Sequence, residues 1–498
     1  MPSFWKLRPL ALFTLRTLIF GAALSCVYLG TAGATYYAQQ RSLDRAARLI
    51  SPLPLLPRPV PATRLMVFAP HCDDETLGNA GLIQSVREAG GTVRTVIFTN
   101  GDGFPAAVER ETRRLRVTAA DYVHFGELRQ QESRNAMESL GVEKGGTLFL
   151  GYPDGGLLAL WNSHWTPETP FASVFTGATA SPYAQCFRPG TVYCGKSVVE
   201  DVKNALRQFR PTMITVTHPT EDHADHAASG AFVTLALREL QDDPASAAWA
   251  SRCELRYYLV HRGDWPPAPS AKGKFNPLSP PSTMRGQDTD WHSLSLTTKQ
   301  SERKANAIAL YPSQTAIMER FLSAFVTSNE IFGKMRPATI PMVDSDAIHL
   351  DGRADEWDEI PPVILDPIND NLFRSMQGGA DLRTVYACRD KKNLYLRVDT
   401  RTDVSSRCRF YFVLRPFDRE GNSPGSALGF TVEGKSVTPN LNVKTRTGGH
   451  TLEVAIPLSR LTDPLGNTNL TRLSLSVDTS VAGVGIDRTG IRLLEIGQ

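Results

Sequence analysis

The stretch FAPHCDDETLG, Phe68–Gly78, places His71, Asp73, Asp74 and Glu75 directly after the apolar run RLMVFA. A second cluster, THPTEDHADHAASG, carries His218, His223, Asp225 and His226 after the apolar run TMITV. Imidazoles and carboxylates are the donors that a divalent metal with an open coordination position takes. Two His and one carboxylate on zinc is the hydrolase arrangement. His71, Asp74 and His226 can supply that set. Asp73 is then free to take a proton from the attacking water. His223 can stand across the metal, charged or donating a hydrogen bond, and Asp225 can orient that imidazole. Each cluster alone has a plainer use, Asp73 or Asp74 as a helix N-cap and H-x-D-H as a solvated helix start. Two such clusters at two strand exits of one domain favour the metal. Glu75 reads as a first-turn residue favoured by the helix dipole, and His218 as structural or a support to the ligands.

The elements that must position these groups follow from the apolar pattern. RLMVFA is of strand length, TLGNAGLIQSVREAGG has helical spacing and ends in Gly, and TVRTVIFTNGDG is a strand ending in turn residues. A helix over 129–140, the strand TLFLGYPDGG, a helix over 197–209, the strand TMITVTH, a helix over 227–240 and the strand LRYYLVHRG continue the alternation. That alternation predicts an α/β, Rossmann-like parallel sheet with helices on both faces, with ligands outside the carboxyl ends of the strands. A Pro-rich stretch over 264–283 reads as a loop and 297–334 as helical. From Ile348 onward, short alternating segments separated by turn residues (TVYAC, NLYLRVD, RFYFVL, LGFTV, TLEVAIP, RLSLSVD) predict an all-β sandwich.

APHCDDETLG together with HADH resembles the PIG-L/LmbE-type metal-dependent de-N-acetylases, in which Cys72 here replaces the usual Pro. The likeness runs through TNGDG, RQQESRNAMESLGV, LGYPDGGL and KANAIALYPSQ, and covers roughly residues 64–334. It implies zinc, or another divalent metal, on His71, Asp74 and His226, Asp73 as general base and His223 as the charged partner. It also implies that Arg129 and Asp154 approach the substrate. IHLDGRADEWDEI, followed by LRTVYACRDKKNLYLRVDT, looks like the family-nine-type carbohydrate-binding modules. Those modules commonly clamp sugars between Trp rings. Trp357 is the only Trp after residue 340 and reads as core, as do Tyr386, Tyr395, Phe410 and Phe412.

Residues Thr17–Gln40 contain no charged side chain, a length that can span a bilayer. Lys6, Arg8 and Arg16 precede them, and AGA at 32–34 resembles a cleavage site. Residues 1–49 are therefore expected to be a signal anchor or signal peptide, 50–63 a Pro-rich linker, 64–336 the deacetylase-like domain and 340–498 the β-sandwich. Export would permit disulfides at Cys186/Cys194 and at Cys388/Cys408. Among 498 residues, 41% are hydrophobic and 21% charged, and the net charge is +3, which excludes wholesale disorder and gives no footing for a nucleic-acid partner. The expectation is an extracytoplasmic, membrane-anchored or secreted zinc hydrolase that removes N-acetyl groups from the amino sugars of a polysaccharide or glycoconjugate. The alternatives are a non-catalytic glycan-binding surface protein with a vestigial metal site, or a metal hydrolase of another amide or ester.

Overall fold

In the computed structural model, the described residues are 30, 31, 33, 34, 37, 38 and 52–497, except 115, 264, 267–273, 285–286, 371 and 467. The expected membrane or signal segment falls almost wholly outside them. Among the described residues no helix is long and apolar enough to cross a membrane.

The first half is built on one seven-stranded sheet. Its strands are β1 (Arg64–Ala69), β2 (Thr92–Thr99), β3 (Thr147–Tyr152), β4 (Met213–Thr217), β5 (Glu254–Tyr258), β6 (Thr289–Ser295) and β7 (Asn329–Met335), in the order β3-β2-β1-β4-β5-β7-β6. β1 to β5 are parallel. β7 pairs antiparallel to both β5 and β6, so the sheet is mixed at one edge; β7 falls at the end of the stretch read as helical, and β6 between the expected loop and that helix. The helices are α1 (Asp74–Glu88), α2 (Pro105–Thr112), α3 (Ala119–Ser139), α4 (Leu157–Asn162), α5 (Gly195–Phe209), α6 (Ala224–Asp242), α7 (Ala247–Ala250), α8 (Thr298–Ile308) and α9 (Pro312–Ser323). Alternation along β1 explains the two layers. Met66 and Phe68 enter one core with residues of α5 and α6, and Leu65 and Val67 enter the other with residues of α1, α3 and α8. The chain runs from β1 outward to β2 and β3, then returns to the other side of β1 with β4. The carboxyl ends of β1 and β4 thus form the topological switch point, where a crevice opens in such sheets. Both chemistry-bearing clusters begin there.

The second half consists of two further sheets. One has the order β15-β16-β11-β10-β9, using β9 (Pro362–Leu365), β10 (Leu382–Arg389), β11 (Asn393–Thr400), β15 (Lys444–Gly448) and β16 (Thr451–Pro457). The other runs β14-β13-β12-β17-β19-β8, using β8 (Thr339–Ile340), β12 (Cys408–Phe417), β13 (Leu428–Glu433), β14 (Ser436–Thr438), β17 (Arg472–Val481) and β19 (Arg492–Ile496), with β18 (Val484–Arg488) pairing to β17. Pairing is antiparallel except between β19 and β8. Leu396, Val398 and Val454 from one sheet and Phe410, Phe412 and Leu475 from the other share a single core. Trp357 is buried, and its Nε1–H donates to Glu453 Oε1 at 2.9 Å, so it is no exposed platform.

The six cysteines among the described residues are all free thiols, which corrects the expected disulfides. Cys186 Sγ lies 3.4 Å from Ser181 Oγ, and Cys194 Sγ lies 3.1 Å from Ser197 Oγ. Cys388 packs beside Trp357, whereas Cys408 lies in the core between the two sheets. Spacing along the chain did not bring these side chains into bonding geometry.

Candidate metal centre

After β1 the chain turns sharply into α1. Asp73 sits at the turn with φ 129°, a region costly for any residue with a Cβ. The surroundings hold it there. Its N–H donates to Glu75 Oε2 at 3.0 Å, and its C=O accepts from Thr76 and Leu77 N–H at 2.9 Å. Glu75 is fully buried and accepts from Ser133 Oγ and Tyr311 Oη, both at 2.7 Å. It sits in the first turn of α1, as sequence reading suggested, and is in addition a buried hydrogen-bonding hub. Arg129, from α3, donates to Gly101 O at 2.8 Å, to Cys72 O and to Asp73 Oδ2 at 3.3 Å. Gly101 has φ 64°, and a Cβ there would lie 1.7 Å from Arg129 Nη1. That close approach explains the glycine in TNGDG.

Three donor atoms meet above this turn. His71 Nδ1 and Asp74 Oδ2 are 3.2 Å apart, His226 Nε2 and Asp74 Oδ2 are 3.2 Å apart, and His226 Nε2 and His71 Nδ1 are 3.2 Å apart. Metal–donor bonds of about 2.0–2.1 Å place tetrahedral donors about 3.3–3.4 Å from one another. The triangle fits that spacing with almost no movement. Burial would raise the Asp74 carboxyl, but the His226 and His71 rings beside it hold it well below the usual range.

Each ligand-type imidazole turns its other nitrogen to carboxylates. His226 Nδ1 meets Glu221 Oε2 at 3.0 Å, and Glu221 in turn accepts from Val260 and His261 N–H at 2.6 Å. His71 Nε2 meets Asp154 Oδ1 at 3.2 Å and Asp225 Oδ2 at 3.4 Å. Such partners fix the tautomer and raise the basicity of a ligating nitrogen. Burial opposes a charge on His71, yet the Asp154, Asp225 and Asp74 carboxylates raise its pKa well above the ordinary value. Burial likewise opposes a charge on His226, while Asp74 and Glu221 bring it up to about 9.

The other expected site residues take the following positions. Asp225 does not orient His223 through its carboxylate. Its oxygens accept from Gly155 N–H at 2.7 Å and Leu157 N–H at 2.9 Å and face His71, while its backbone N–H donates to His223 Nδ1 at 3.3 Å. Asp154 is turned to His71 and to Gly103 N–H at 2.7 Å. Arg129 is spent on the two loops and on Asp73. His223 caps α6, with its ring centroid 4.9 Å from both His71 and His226. Burial and those two neighbouring rings push its pKa down to about 4. With Nδ1 accepting from a backbone N–H, the ring proton sits on Nε2. Asp73 is buried beside the triangle, and burial pushes its carboxyl up to about 8 against the pull of Arg129. His218 is structural: Nδ1 meets Thr220 Oγ1 at 2.8 Å and Nε2 meets Thr289 Oγ1 at 3.0 Å.

Sequence reading missed Glu221 and His261. His261 lies just beyond β5, its ring centroid 4.9 Å from that of His226 and stacked 5.0 Å from Phe321. It forms a further donor group with Asp74 and His226, as do His71, His223 and His226, and His71, Asp154 and Asp225. Extending the strand-exit rule from β4 to the adjacent β5 would have flagged it.

No curated protein sequence matches this chain. N,N'-diacetylchitobiose deacetylase from Pyrococcus horikoshii is similar at 18% identity, over 54% of this chain and 83% of that one, with a TM-score of 0.33. The A40926 pseudoaglycone deacetylase Dbv21 is similar at 18% identity, over 55% and 97% of the two chains, with a TM-score of 0.34. The 4-carboxy-2-hydroxymuconate hydratase GalB from Pseudomonas putida KT2440 is similar at 12% identity, over 56% and 98%, also with a TM-score of 0.34. Likenesses at this level say nothing about activity. Residues 66–237, which hold the turn after β1 and the whole second cluster, match the family described as PIG-L: GlcNAc-PI de-N-acetylase.

Proposed function

We propose that the protein is a zinc-dependent hydrolase that removes N-acetyl groups from amino sugars of a polysaccharide or glycoconjugate outside the cytoplasm. The observation that carries this reading is the triangle of His71, Asp74 and His226 donor atoms with Asp73 and His223 standing beside it. The family match over 66–237 supports the same chemistry.

His71, Asp74 and His226 are the residues that would hold the metal. Bound there, it supplies Lewis acidity to the amide carbonyl and to the attacking water. Asp73, clamped by Arg129 and Glu75, takes the proton from that water. His223 offers its Nε2–H to the charge that develops on the carbonyl oxygen. The proton that Asp73 takes from the water then passes to the departing amine. Asp154 and Asp225 keep His71 in the tautomer that presents Nδ1, and Glu221 keeps His226 in the tautomer that presents Nε2. The uncharged segment Thr17–Gln40 would export the chain or tether it to a membrane.

A glycan-binding protein with a vestigial metal site would need neither Asp73 nor His223, and both stand in place. The deciding experiment measures acetate release by zinc-loaded protein from a panel of N-acetylated sugars. We expect turnover that chelation abolishes and added zinc restores. No acetate from any N-acetylated amino sugar, with zinc fully bound, would overturn the reading and favour another amide or ester.

A further inference from the structure

The second half of the chain is not a detached appendage. Phe417 and Ile491 belong to the same hydrophobic core as Phe232 and Tyr257 of the first half. Resting on the metal reading of the site, we propose that the C-terminal β region is part of the catalytic framework, with Arg374 and Arg415 as positioning residues for the imidazoles of the metal centre.

Arg374 grips the loop that delivers Glu221 and His223. It lies on the short helix α10 (Leu372–Met376) and is nearly buried. Its Nη2 is 3.6 Å from Asp222 Oδ1, its Nε is 2.6 Å from Asp487 Oδ1, and it also pairs with Asp370. Asp370 Oδ2 binds Arg262 Nη2 at 2.7 Å, and Arg262 Nη1 donates to Asp222 Oδ1 at 3.0 Å and Thr220 O at 2.9 Å. From the other side, Ile491 N–H donates to Pro219 O at 3.3 Å. Gly490 has φ 73°, and a Cβ there would lie 2.0 Å from that same oxygen, so the approach requires glycine. Pro219–Asp222 is thus held from both 370–374 and 487–491. Glu221 lies inside this stretch and His223 immediately follows it.

Arg415 grips α4. It is fully buried, with Nε donating to Trp161 O at 2.6 Å and Nη2 to Asn162 O at 3.1 Å. The guanidinium also lies over the Trp165 ring at 4.7 Å. Trp161 Nε1–H donates to Ser474 Oγ at 3.2 Å. At the other end of this six-residue helix, Leu157 N–H donates to Asp225 Oδ1, and Asp225 Oδ2 faces His71. One rigid element therefore links a C-terminal strand to His71, while the ion-paired loop links the C-terminal region to His226 and His223. The buried guanidinium of Arg374 and the buried carboxylate of Asp487, 2.6 Å apart, are strongly disfavoured from separating.

The test uses the full chain with Arg374→Ala, Arg374→Lys, Asp222→Asn and, as a control, Arg409→Ala, which removes an exposed pair with Glu433 elsewhere in the same region. Zinc affinity is measured by chelator competition, kcat and KM on a small N-acetylated sugar, and hydrogen exchange over residues 218–226. Folded Arg374→Ala should lose about 10–100-fold in zinc affinity or kcat, the cost typical of disturbing what supports metal ligands. Its KM should stay within about two-fold, because substrate contacts remain, and exchange over 218–226 should rise. Arg374→Lys should recover most of the loss, and Arg409→Ala should match the parent. Folded Arg374→Ala with parental zinc affinity, kcat and exchange overturns the proposal. If that variant does not fold, Asp222→Asn releases the same grip from the catalytic side, and parental behaviour there overturns it equally. Should the parent bind zinc yet release no acetate, the deacetylase reading fails, while zinc affinity and exchange still decide this one.

Discussion

Two clusters of charge meet at one peptide bond, between Asp222 and His223. On the His223 side, His71, Asp74 and His226 turn three lone-pair-bearing atoms toward one point. Each is 3.2 Å from the other two. On the Asp222 side, the guanidinium groups of Arg262 and Arg374 face Asp222, Asp370 and Asp487, and the charges close on one another. The residue types overlap, but Asp222 is exposed where the triangle is buried, and the outcome differs. A carboxylate matched by a permanent guanidinium is finished as a structural link. A carboxylate matched by imidazoles, which can give up their protons, can still take a metal cation. The contrast teaches that the cluster able to do chemistry is recognised by donor atoms converging at metal-ligand spacing, not by charge as such.

The sharpest way to break this contrast is to remove a corner of the triangle. His226→Ala and Asp74→Asn should each lose bound zinc and, with it, hydrolysis. Metal analysis finding full occupancy in both would move the site elsewhere among the surrounding donors. Asp73→Asn comes next. It should keep the metal and lose about 10²–10⁴-fold in kcat, or roughly 3–5 kcal/mol of barrier. Loss of metal in Asp73→Asn with retention in Asp74→Asn would exchange the roles of the two adjacent aspartates. Glu221→Gln removes the carboxylate behind His226 and should weaken zinc binding about 10–100-fold. Competition titration giving the parental affinity would show that the backbone alone holds that ring.

The smallest effect is expected in the ion-paired cluster. Burial and the nearby Asp487 charge raise Asp366 well above the usual carboxylate range, and among the described residues neither of its oxygens has a hydrogen-bond partner. From about pH 4 upward, the unfolded chain releases this proton while the folded protein keeps it. Stability therefore falls as pH rises through that window. Asp366→Asn removes the penalty, so its melting temperature should exceed that of the parent by more at pH 8 than at pH 5. Melts differing equally at both pH values would mean that Asp366 is ionised in the fold.

By itself, the sequence determined the alternation of β1 to β5 with helices, because period-2 and period-3.6 burial is written locally in residue types. It also determined that His71, Asp73, Asp74, His223 and His226 lie at strand exits, because an apolar run that ends in His and Asp must leave the core there. The antiparallel β6 and β7 were not legible, since mixed segments such as WHSLS, Trp291–Ser295, lack a clean period and acquire strand form only by pairing. Nor were the partners of each imidazole nitrogen. Asp154 and Asp225 face His71, and Glu221 faces His226, because β1, β3, β4 and β5 bring loops distant in the chain to one switch point. The free thiols and the grip of Arg374 and Arg415 have the same origin. Tertiary structure decided them, since hydrogen-bond and ion-pair geometry depends on side-chain positions in space, which spacing along a chain does not encode.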